Sequence, residues 1–83
     1  MKWNGEAEEA LGRLIEGQEV HERGRAEAQA RARVEERARR EKVEEIDASL
    51  VISTYLLNSR ADEHEDIKKV IRTLGLKTEQ FFP

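Results

Sequence analysis

The nine residues SLVISTYLL, positions 49–57, are the densest apolar run in a chain of which 40% is charged. Wound as a helix at 100° per residue, the segment 43–57 is apolar nearly all round. Val43, Ile46, Leu50 and Leu57 form one stripe within about 60°, Val51 and Tyr55 a second, and Ile52 and Leu56 a third. A helix of that kind has to be enclosed on several sides, and this requirement constrains the rest of the fold. A strand competes for the same residues, because Val, Ile, Thr and Tyr favour sheets. No second strand-like segment is available to pair with it, so the pattern predicts helix.

The means of enclosure are few. Eighty-three residues make one small domain, which buries only about 60–65% of its unfolded surface. Small folds compensate with disulfides, metals or oligomerisation. With no Cys in the chain, disulfides and thiolate metal sites are excluded, and a cytoplasmic location is the expectation. No basic segment leads into a hydrophobic one at the start, and the apolar block is too short to span a bilayer, so no membrane association is expected. Self-association is the remedy that remains.

Residues 1–24 read as an N-terminal helix and hinge. Asn4 caps it, Glu6, Glu8 and Glu9 favour its positive end, and Ala7, Ala10, Leu11, Leu14 and Ile15 recur at threes and fours. Gly17 and Gly24 are the expected weak points. Between Arg25 and Leu57 there is neither Gly nor Pro, so residues 25–58 read as one long helix or two nearly continuous ones. Its first part exposes a shallow strip of Ala26, Ala30, Val34 and Ala38. Six oppositely charged pairs spaced by four are available there: Glu27–Arg31, Arg31–Glu35, Glu35–Arg39, Glu36–Arg40, Arg37–Glu41 and Arg40–Glu44. Each contributes about 0.2–0.5 kcal/mol. Asp62 with Glu65 resembles a capping box for a helix over 62–75, closed by Gly75, with Ile67, Val70, Ile71 and Leu74 on one stripe; residues 76–83 form a tail.

Charge is distributed in blocks. Residues 1–22 are net −4, 23–42 net +4, 43–66 net −6 and 67–83 net +3. Such alternation suggests electrostatic pairing between segments or between chains.

No catalytic pattern is present. DEHED, residues 62–66, mixes His64 with carboxylates but lacks the spacing of a helical metal site, and acidic residues at a helix start serve the dipole. His21 has no partner nucleophile, and Ser49, Ser53, Thr54 and Ser59 suit bonding to the preceding turn. Gly12, Gly17 and Gly24 do not form a phosphate loop. No cofactor is implied. Trp3, Phe81 and Phe82 suit the covering of the apolar block.

Two family resemblances attach to particular residues. The run EERARREKVEEIDASL, a loop and a second amphipathic helix resemble a basic helix-loop-helix protein over about half the chain. Glu36, Arg37, Arg39 and Arg40 match the family's Glu-Arg-x-Arg-Arg core, and Val43 and Leu50 its apolar positions. That resemblance implies a dimer in which Glu36 reads bases and the three arginines grip phosphates. The sequence departs from it at Ala32, where the family has a base-contacting His or Asn. Residues 2–14, KWNGEAEEALGRL, are similar to the opening of small protochlorophyllide-reductase-like domains. The Pro-Phe-Phe-rich motif that should follow is missing, and nothing is carried over.

The expected architecture is all-α. A short N-terminal helix precedes a long charged helix running into an apolar one, and a short helix completes a C-terminal hairpin, in a dimeric bundle. The expected function is a non-enzymatic protein–protein interaction module, an adaptor, regulator or inhibitor. It pairs with itself as a coiled-coil-like homodimer through Val43, Ile46, Leu50, Val51, Ile52, Tyr55, Leu56 and Leu57, and with an unidentified protein partner. The alternative is a dimeric nucleic-acid-binding protein using the arginine-rich helix 23–42. Its candidate contacts to nucleic acid or an acidic partner are Arg31, Arg33, Arg37, Arg39 and Arg40.

Overall fold

In the computed structural model, which describes residues 2–82, Asn4 caps the first helix as its position suggests. Its side chain accepts a hydrogen bond from the Ala7 amide at 2.8 Å. That helix, α1 (Gly5–Ile15), buries Ala7, Ala10, Leu11, Leu14 and Ile15, the stripe read from the sequence. A 3₁₀ turn at Val20–Glu22 leads into α2 (Arg23–Arg40), which buries the thin strip Ala30, Val34 and Ala38. The apolar helix α3 (Ala48–Leu57) follows, and after a 3₁₀ turn at Ala61–Glu63 comes α4 (His64–Thr73). The architecture is all-α, as expected.

The expected long helix over 25–58 is broken between Arg40 and Ala48. The break is a Schellman motif: the Val43 amide donates to the Ala38 carbonyl at 2.8 Å and the Lys42 amide to that of Arg39 at 3.2 Å. Lys42 itself adopts φ 57°, the left-handed conformation that glycine normally supplies. Gly75 ends α4 in the same way at φ 78°, with Leu76 bonded to Ile71 and Gly75 to Arg72. Asp47 then starts α3, accepting from the Leu50 amide at 2.9 Å. The chain therefore reverses, and α3 lies alongside α2.

Between the two helices the backbone is extended. Glu45–Ile46 (β2) pairs in parallel with Lys2–Trp3 (β1), Lys2 opposite Glu45 and Trp3 opposite Ile46. Thus Val43 and Ile46 lie outside the apolar helix and do not continue its stripe. Asp62 makes no capping box: it is exposed beside Arg60, and α4 starts without a side-chain cap.

The core is a single cluster drawn from all four helices and β2. Leu11, Val34, Ile46, Val51, Ile52 and Ile71 are its largest fully buried members. Helix α1 packs most extensively against α3, with α2 and α4 on its other sides. Trp3, Phe81 and Phe82 cover the edges. Phe82 meets the His64 ring edge-on at 5.2 Å, with the Lys68 ammonium 5.0 Å from its ring centroid. The enclosure that α3 requires is thus largely met within one chain.

Candidate functional site

The eight apolar residues expected to form a self-association surface divide into two groups. Ile46, Val51 and Ile52 are fully enclosed by the chain's own helices, so they offer nothing to a partner in this fold. Val43, Leu50, Tyr55 and Leu56 are partly covered, and Leu57 is 76% exposed. The division follows from the packing of α3. Its side bearing Ala48, Val51 and Ile52 is sealed inside, while Leu50 and Leu57, two turns apart, sit on the side left open. Leu50 also lines an open groove of ≈ 400 Å³ with Val43, Phe81, Ser49, Ser53 and Gln80, and the carboxylates of Glu45 and Asp47 stand at its edge.

A second, smaller depression of ≈ 150 Å³ lies between α2 and α3, bordered by Gln18, Arg33, Tyr55, Asn58 and Glu63. The Gln18 amide donates to the Tyr55 hydroxyl at 2.8 Å. Burial raises the Tyr55 phenol above its usual pKa; the Gln18 bond opposes that rise and the Glu63 charge adds to it. None of these groups forms a nucleophile–base pair of the kind covalent catalysis uses.

The basic helix is sorted by the fold into engaged and outward-facing residues. Arg31 donates to Glu8 of α1 at 2.7 Å, stands 3.6 Å from Glu27, and lies 4.4 Å from the Trp3 ring centroid. Its bond to Glu8 holds its pKa above the usual guanidinium value, against the lowering effect of burial. Trp3 in turn donates its indole N–H to Glu35 at 2.9 Å. Arg37 donates to Glu41, to the Ser53 hydroxyl at 2.9 Å and to that of Thr54 at 3.1 Å, tying α2 to α3. Two of the expected contact residues are therefore structural. Arg33, Arg39 and Arg40 point outward, with no ion pair among the described residues. Of the six pairs spaced by four, Glu27–Arg31 and Arg37–Glu41 are within 4 Å.

The sequence reading missed the Arg37 clamp, although SerThr at 53–54 in an otherwise apolar helix is the signal that could have suggested it. Within DEHED, His64 is turned to the Phe82 ring, and no group of three or more potential ligands converges among the described residues. No helix among the described residues is long and apolar enough to cross a membrane. A basic helix-loop-helix arrangement needs a helix continuous through residues 36–50, which the Lys42 break rules out. No family model matches this chain, and no curated protein or solved structure matches it either.

Proposed function

We propose that the chain is a non-enzymatic protein–protein interaction module, a small adaptor, regulator or inhibitor, that pairs with a second copy through the open side of α3. The observation that carries this reading is Leu57. It is 76% exposed on a helix whose other face is sealed in the core, and it does not stand alone. Leu50 stands two turns away on the same side, and Val43 and Phe81 extend the apolar surface along the adjoining groove. The rim of Ser49, Ser53, Glu45 and Asp47 is polar, the arrangement of a small interface with an apolar centre. Ile46, Val51 and Ile52 support the surface from beneath and do not contribute contacts.

The test is the molar mass of the full chain by light scattering on a sizing column, at low and at high salt. A mass near twice the 9.6 kDa of one chain in both conditions is the expected result. Leu57→Asp should return the mass to that of one chain with the helical signal unchanged, because the side chain touches little of the fold. A single-chain mass at both salts overturns the reading.

A further inference from the structure

Four glutamates are interleaved with the eight basic residues of segment 23–42, so the sequence suggests a net +4 field that the acids blunt. The fold engages three of these acids with residues other than the outward-facing arginines. Glu27 stands beside Arg31, Glu35 accepts from the Trp3 indole, and Glu41 accepts from Arg37, which leaves Glu36 alone on the outer face. The arginines that these acids engage, Arg31 and Arg37, are the ones already tied inward, and Arg23 donates to the Gln18 and Glu16 carbonyls. Arg25, Arg33, Arg39 and Arg40 of α2 remain, with Lys42 just beyond the helix, all exposed, and Glu36 is the carboxylate left among them. The segregation continues beyond the helix: among the described residues, Arg31–Glu8 is the only ion pair that joins different parts of the fold. The basic block is thus not neutralised by the acidic ones.

We infer that the outer face of α2 is a nucleic-acid-binding face that grips the phosphate backbones flanking a duplex groove without reading base sequence. The helical wheel places the four arginines in two rows, Arg25 with Arg39 and Arg33 with Arg40, separated by about 100°. Between the rows lie Gln29 and Glu36, with Ala32 in line with the first row, all exposed, and two of the three are uncharged. A helix about 10–12 Å across fits a major groove about 12 Å wide, with one row towards each backbone. Arg25 and Arg40 are about 22 Å apart along the axis, enough to follow several successive phosphates.

The face discriminates between kinds of polyanion. A protein partner needs buried aromatic or aliphatic anchors, and this face has none: the exposed large hydrophobics, Val20 and Leu57, lie off α2. All four cations are arginine, whose planar fork pairs with phosphate oxygens two at a time. The chain's net charge of −3 does not cancel this local field. Acidic residues on the far side of a body measuring 31 × 31 × 21 Å lie beyond a Debye length of about 8 Å; the nearby ones outside the helix include Glu8, paired with Arg31, and Glu22, just ahead of α2. Glu36 is the one carboxylate that opposes binding from within the face, and it supplies a variant of opposite sign.

The face is independent of the α3 surface proposed above, so either can fail alone. The experiment is fluorescence anisotropy of a labelled duplex of about 20 base pairs, titrated with the full chain in about 50 and 200 mM salt. With about three phosphates neutralised, affinity should fall about 40-fold between the two. Arg33→Ala with Arg40→Ala should weaken binding at least about tenfold and flatten the salt dependence, with helicity unchanged by circular dichroism. Glu36→Gln should tighten binding, and a duplex of scrambled sequence should bind equally well. No binding at the lower salt overturns the inference, as does binding that the double variant leaves intact. Competition by poly-glutamate at equal charge concentration also overturns it, and assigns the face to an acidic protein.

Discussion

Tyr55 shows how much of this chain is decided one side chain at a time. It lies in the helix most apolar by sequence, yet its hydroxyl reaches the small polar depression between α2 and α3 and accepts from Gln18. Because burial raises its folded pKa above the ordinary phenol value of 10.0, the unfolded chain ionises first as pH rises. The neutral phenol therefore contributes stability that is fully present below about pH 10 and is lost as pH climbs through the raised folded value. Tyr55→Phe should shrink the loss of thermal stability between about pH 9 and 11 relative to the parent chain, measured by melting temperature. An identical alkaline profile would show that the phenol titrates as it does in water. Nothing in the sequence pointed to Gln18 as its partner, because the two residues are 37 positions apart. The Asn4 cap, by contrast, was legible because its bond is local.

At the scale of elements, α1 and α4 were legible because each carries one apolar stripe and an ending marked by Gly or by polar residues. The α2–α3 boundary was not. Its turn has the same hydrogen bonds as the one at Gly75 but is built on Lys42, so the residue that announces such an ending is missing. Non-local packing decides the break: reversal places Ser53 and Thr54 on Arg37 and Ile46 in the core, more burial than a continued rod could give. A residue with a Cβ in the left-handed region costs about 1–2 kcal/mol. Lys42→Gly should therefore stabilise the chain by about 0.5–1 kcal/mol in urea denaturation, part of the gain being offset by the greater entropy of the unfolded glycine. A destabilised variant would mean that the lysine stem itself packs. The short parallel ladder escaped sequence reading for a related reason: two residues per strand carry no detectable alternation.

For the whole molecule, the expectation of a core too thin to close alone needs revision. The radius of gyration is 12.0 Å, and a compact chain of this length has about 12 Å. One narrow stripe on α4 could not enclose α3, but α1, the Trp3 arm and the two terminal phenylalanines share the task. This changes what the mass measurement means. Leu50→Asp confounds folding with association because Leu50 is partly packed, whereas Leu57→Asp separates them. The charge blocks were visible in the sequence; which charges face outward was not, since it depends on Trp3 and Glu8 arriving from the other end of the chain.

The pairing of Lys2–Trp3 with Glu45–Ile46 also sets an order of events in time. A ladder joining residues so far apart must close a long loop first, at an entropic cost of about 3 kcal/mol, while the turns of α1 and α2 need only their neighbours. The chain's single tryptophan sits in that ladder, bonded to Glu35 and beneath Arg31. In stopped-flow refolding, tryptophan emission should therefore lag behind the helical signal at 222 nm. Coincident traces would mean that the arm docks as the helices form, in one concerted step.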